Sequence, residues 1–187
     1  MGSVIQFEQA AVAAMRERLG AAETARADLL AFARGHSGAV ATIHEAVIAA
    51  LHAGSFDELI AIVTCEWPDM LGLKAVALAL VVNDRGFRID AGGVELVEPK
   101  LIERSLGSID SVALRGVGRG HPLFGASAAD IGAEALIGIF AEAPFPRGIL
   151  LLGQSDSQPA PSDEGSQLLQ FLGAALGAML QRWTRHI

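Results

Sequence analysis

The loop Arg115-Gly-Val-Gly-Arg-Gly-His121 gathers the densest set of potential ligand-binding groups in this chain. Its glycines let backbone N–H groups turn toward an anion, and Arg115, Arg119 and His121 supply charge around them. A small molecule held under the Arg115–Phe124 loop would meet Arg115, Arg119, His121 and Phe124, which are the expected ligand-binding residues. The spacing is not a dinucleotide fingerprint, because the final glycine of G-x-G-x-x-G is missing and no helix clearly follows. The competing reading is a solvated surface loop.

Other reactive side chains point away from catalysis. His36, His44 and His52 recur every eight residues, and at about 100° per residue eight steps advance roughly 80° around a helix. Such side chains fan out, whereas a zinc site wants i, i+3 or i, i+4 pairs or paired cysteines, so no metal is expected. Cys65, the single cysteine, has no resolving partner and no adjacent base, which reads as a small buried side chain. It also excludes an internal disulfide framework and suits a reducing cytoplasm. No Ser/His/Asp order, paired-carboxylate motif or Walker-type loop appears. The expectation is a protein that is not an enzyme, with no catalytic residues and no cofactor.

The composition agrees with a single core. Over 187 residues, 51% are hydrophobic and only 19% charged, so one medium domain with a helical extension can bury a sizeable core. A net charge of −7 argues against direct nucleic-acid binding, which needs Lys and Arg to neutralise phosphates. The N-terminus lacks a signal-peptide pattern, and the longest apolar helix candidate, Leu168 to Leu180, is too short to span a bilayer. A soluble, cytoplasmic protein without membrane contact is expected.

The elements that must position these residues follow from periodicity. From Gln6 to Arg34, Val12, Met15, Leu19, Ala22, Leu29 and Ala33 keep a coiled-coil spacing, with Arg26 as an imperfection. The register continues as Val40, Ile43 and Val47 beyond Gly35-His-Ser-Gly38. Either one kinked helix runs through, or two helices meet there with Ser37 as a cap. The expected dimerisation residues are Val12, Met15, Leu19, Leu29, Val40, Ile43 and Val47. Residues 1–53 form the N-terminal helical segment in this reading, and 54–187 the second domain.

Ser55-Phe-Asp-Glu58 is a capping box, and the helix it opens ends near Trp67-Pro68 and Gly72. Ala75–Val82 reads as a central strand, Asn83–Gly86 as a turn and Phe87–Asp90 as a half-exposed strand. Pro99 starts a short helix ending near Leu106, and Ser111–Arg115 forms another strand. Ala135–Ala141 and Ile149–Gly153 make a hairpin about the turn Pro144-Phe-Pro-Arg-Gly148, and a long helix closes the chain. In that helix Gly173-Ala-Ala-Leu-Gly177 creates a small face that packs on the sheet or, alternatively, meets another helix. The whole is an α+β layer sandwich.

Three blocks, Phe56-Asp-Glu-Leu59, His121-Pro-Leu-Phe-Gly125 and Gly148-Ile-Leu-Leu-Leu-Gly-Gln-Ser-Asp156, together with Val4–Glu8 leading into Met15–Leu19, resemble the DUF484 proteins. That resemblance implies a GAF-like domain with an antiparallel or mixed sheet flanked by helices, after a long N-terminal coiled-coil-type helix. It implies a small-molecule site between the sheet and the loops of one face, and dimerisation through flanking helices. Members of the family are often encoded beside a site-specific recombinase. The leading expectation is a homodimeric sensory or adaptor protein that binds a small molecule and relays its state to an unidentified protein partner. The alternative is a ligand-free GAF-like scaffold serving as a protein-interaction module, with DNA-processing machinery as one conceivable partner.

Overall fold

The computed structural model describes residues 38–141, 146–155 and 163–184. The chain divides into two compact units, Met1–Ala41 and Thr42–Ile187; the sequence pattern suggested a division after residue 53. Val12, Met15, Leu19 and Leu29 lie outside the described residues, as does the segment expected to form the long N-terminal helix.

Residues 38–51 are helical (α1). Within the second unit, Ile43, Ala46, Val47, Ala50 and Ala53 are buried in that unit's own core. Ile43 and Val47, expected on a dimer seam, therefore spend their apolar surface inside one chain. The capping box forms as the pattern requires: Ser55 Oγ accepts from Glu58 N–H at 3.1 Å. Glu58 Oε2 reaches back to Gly54 N–H at 2.7 Å, one residue before the cap. Helix α2 (Phe56–Ala61) then widens into a π-helical turn, Ile62–Glu66, before α3 (Trp67–Leu71) ends at Gly72. The π turn rotates Ile62, Val63 and Thr64 inward and leaves Cys65 exposed. Cys65 is thus not the buried side chain that its neighbours suggest. Trp67 is fully buried, and its Nε1–H donates to Ala46 O at 3.0 Å, tying α3 to α1.

The strands are β1 (Ala75–Val82), β2 (Arg85–Asp90), β3 (Gly93–Val97), β4 (Val112–Gly116), β5 (Ala133–Ile139) and β6 (Arg147–Gln154). They form one six-stranded sheet in the order β3-β2-β1-β6-β5-β4, with every described pairing antiparallel. Asn83 and Asp84 both take positive φ, 49° and 60°, which matches the twist of a two-residue hairpin. Strand β3 has no counterpart in the pattern read from sequence. It is an edge strand whose Val94 and Leu96 are each 67% exposed, so no inside–outside contrast marks it.

The central strands are apolar throughout because both faces are covered. Val76, Leu78 and Leu80 of β1 point to one core, where α1, the α2–α3 stretch and α5 (Asp163–Thr184) pack. Ala77, Ala79 and Val81 point to the other, covered by α4 (Pro99–Leu106) and a 3-10 segment, Pro122–Asp130. In α5, Gly173 lies directly over the Ile137 side chain, and a Cβ on Gly177 would stand 3.4 Å from Ile139 Cγ2. The small face of α5 named from sequence serves the sheet at these two glycines. Among the described residues no helix is long and apolar enough to cross a membrane.

Candidate functional site

The loop after β4 folds inward onto a buried carboxylate. Glu134 on β5 stands opposite Arg115 on β4 in the strand register. Its side chain is 1% exposed against 51% for Arg115, and Arg115 Nε–H donates to Oε1 at 2.7 Å. The other oxygen accepts His121 N–H at 2.6 Å. A carboxylate placed inside an apolar strand demands such charge-assisted partners.

Four further backbone donors of the loop and the segment after it are engaged within the chain. Val117 N–H donates to Gly132 O and Gly120 N–H to Ala128 O, both at 2.8 Å, and Phe124 N–H to His121 O at 2.9 Å. Leu123 N–H donates to His121 Nδ1 at 3.2 Å. The two ends of the glycine loop, Arg115 and His121, thus hold an anion, and that anion is the protein's own Glu134. Phe124, expected against a ligand, is 1% exposed and packs with Leu123, Ile102 and Ile131 beneath the loop. Arg119 is exposed. The structure brings Arg115 and His121 together through Glu134 and sets Arg119 and Phe124 on opposite sides, one in solvent and one in the core.

His121 has a neighbour that the sequence did not reveal, Ser105 of α4, with Nε2 and Oγ 3.0 Å apart. The trio Ser105, His121 and Glu134 has the residue types of a nucleophilic triad, yet its wiring runs the wrong way. Nδ1 accepts from Leu123 N–H, so the ring proton sits on Nε2 and is given to Ser105 Oγ. Ser105 in turn donates to Leu101 O at 2.9 Å. Glu134 holds the His121 backbone, not its ring. The imidazole cannot take the serine proton in this arrangement, because no lone pair faces it. Burial pushes the His121 pKa below its ordinary value; Glu134 opposes that shift and Arg115 adds to it.

A second cross-strand cluster lies on the same sheet face. Arg88 on β2, opposite Glu95 on β3, has a side chain only 14% exposed and pairs with both Asp90 and Glu95. Its guanidinium occupies the space that a side chain at position 125 would fill, and Gly125 takes φ 59° to allow this. The 3-10 segment therefore closes over Arg88 as well as over the apolar core.

His44 and His52 are exposed, and His36 lies outside the described residues. His44 meets the Phe171 ring edge-on at 5.9 Å.

An antiparallel sheet with helices on one face and a short helix and capped loop on the other defines a GAF-type domain. The similar solved structures agree. One is the GAF domain of a phosphoenolpyruvate-protein phosphotransferase from Coxiella burnetii (TM-score 0.58, 12% identity, 81% of this chain and 97% of that one). Another is free methionine-R-sulfoxide reductase from Neisseria meningitidis, solved with its substrate (0.57, 12%, 78% and 90%). A third is the bacteriophytochrome RpBphP3 from R. palustris (0.55, 13% identity, 78% of this chain), of which this chain spans 38% of the length. At these identities the likeness is one of fold. The family model described as "Protein of unknown function, DUF484" matches residues 1–185, and the chain belongs to that family. No curated protein matches it.

Proposed function

We propose that this chain is a non-enzymatic GAF-like adaptor that works as a homodimer and meets a partner protein through its end helices. The observation that carries the reading is the filled sheet face. Ile102, Leu123 and Phe124 are essentially unexposed against Ala77, Ala79, Ile149 and Leu151, where the sensor reading would put a small molecule. The reversed hydrogen bonding of Ser105 and His121 supports the non-enzymatic part.

The sensor reading draws support from proteins of the same fold solved with small molecules, a reductase with its substrate among them. In it a ligand under the Arg115–Phe124 loop would favour one arrangement of the helices and relay that state. Thermal-shift and isothermal titration panels of nucleotides and small metabolites, with native mass spectrometry of the purified chain, separate the two. The adaptor reading expects no shift and no co-purified molecule. A bound molecule whose affinity drops when Arg115 or Arg119 is replaced would return the function to a sensor. Partner capture by the full chain, lost on deleting residues 1–41 with the second unit still folded, tests the helical contact.

A further inference from the structure

We infer that the outer edge of β3 pairs with an extended segment of a different protein, one in which a Lys or Arg stands between two apolar residues. This is a contact beyond those of the end helices and does not depend on them.

Strand β3 ends the sheet, and no described strand lies beyond it. Its pairing with β2 runs unbroken from Asp90↔Gly93 to Gly86↔Val97, so no bulge turns the edge away. Gly93-Val-Glu-Leu-Val97 contains neither proline nor lysine, the residues with which exposed edges are normally blunted. Val94 and Leu96 are the most exposed large apolar side chains among the described residues. They stand opposite Ile89 and Phe87, which belong to the helix-covered core, and so carry that apolar face outward into water. The other edge is treated differently. In β4, Val112, Ala113 and Leu114 are partly covered, and Ser111 at its start accepts Gln170 Nε2–H of α5 at 2.8 Å. An unguarded edge on one side only has the form of a strand acceptor.

Charge selects the occupant. Glu95 projects to the opposite face from Val94 and Leu96 and shares Arg88 with Asp90. One guanidinium between two carboxylates leaves a negative charge over. It is presented to solvent at Glu95, 63% exposed, because Arg88 is only 14% exposed. From Gly86 to Pro99 the charged residues are Arg88, Asp90, Glu95 and Glu98, so the ribbon and its exit are acidic. A strand laid beside β3 sets one residue opposite Glu95 and its neighbours opposite Val94 and Leu96. Cross-strand pairing therefore favours a basic residue at the centre and an apolar one on either side. A second copy of this chain fails the same requirement. Paired antiparallel over all five residues, it would set Glu95 directly opposite Glu95.

Selection from a random heptapeptide library displayed on phage, with the full chain as bait, tests this. Wild type should enrich alternating peptides with Lys or Arg between two apolar residues, and Glu95→Lys should enrich Asp or Glu at that centre. In fluorescence titrations of the wild-type consensus peptide, Glu95→Lys should weaken binding about tenfold. The double variant Val94→Lys/Leu96→Lys should abolish binding with an unchanged melting curve, since both side chains are exposed. Methylating alternate backbone amides of the peptide should abolish binding in one phase and spare it in the other, because only alternate amides of a strand face its neighbour. The proposal is overturned by no enrichment over the double variant, by the same peptides from wild type and Glu95→Lys, or by equal loss from both methylation phases. Wild-type self-association that Leu96→Lys removes would also overturn it, by making a second copy the occupant. The ligand panel and the deletion of residues 1–41 read other surfaces, so their outcomes stand apart from these.

Discussion

Glu134 sits within an apolar strand, and its two oxygens are answered from opposite sides, by Arg115 Nε–H and by the His121 backbone N–H. Replacing it with alanine should cost about 2–3 kcal/mol, because a buried N–H is left unpaired and a charge-assisted bond is lost. Arg115→Ala should cost at least as much, about 3 kcal/mol, because the carboxylate it leaves short of a partner is buried although the arginine itself is half in water. Urea unfolding of both variants reads the two losses. His121 adds a pH dependence. Its folded pKa lies below its ordinary value, chiefly through burial, so the folded state binds fewer protons than the unfolded state. Its contribution is fully present above about pH 6.5, the unfolded value, and is lost as pH falls through the lower folded value. Protonated Nδ1 can no longer accept Leu123 N–H. His121→Asn, compared with wild type in unfolding experiments from pH 7.5 to 5, should flatten that part of the profile. Arg115 and His121 stand out in the sequence, but an arginine's partner is assigned only once strand register is known. That is why an external anion could be read where Glu134 stands.

At the scale of elements, the two glycines of α5 have opposite expected effects on substitution. A methyl at Gly173 would collide with the buried Ile137 side chain, whereas one at Gly177 would meet Ile139 at ordinary contact distance. Gly173→Ala should destabilise, since overpacking of about 1–3 kcal/mol exceeds a helix-propensity gain of about 1 kcal/mol. Gly177→Ala should stabilise by up to about 1 kcal/mol, the propensity gain alone. Thermal melts read both signs. The capping box, the Asn83-Asp84 turn and Pro99 at a helix start were legible because each acts over a few neighbouring residues. The π turn was not. A lone thiol among apolar neighbours suggested a buried side chain, yet Cys65 faces solvent where Ile62, Val63 and Trp67 turn inward around the π turn.

Across the whole second unit, α1 is part of the core and not an appendage. Ala46, Val47, Ala50 and Ala53 are buried with α3 and α5, and Ala46 O holds the Trp67 indole. A chain beginning at residue 42 should therefore fold with a cooperative melt. One beginning at residue 54, where the pattern suggested a boundary, should lose it, because removing those side chains opens a cavity beside Trp67. Circular dichroism and limited proteolysis of the two truncations decide this.

The residues by themselves determined the α+β class, the central apolar strands, the hairpin before the closing helix and the resemblance to the family the chain belongs to. These properties come from local periodicity, turn chemistry and short blocks, which need no knowledge of the other elements. Tertiary structure alone decided that Ile43 and Val47 face inward, that β3 adds an edge, and that Ser105 meets His121. It also decided that the glycine loop closes on Glu134. Each of these depends on which surface a distant element presents. A chain of amphipathic pieces states which sides are apolar, but only packing states what covers them.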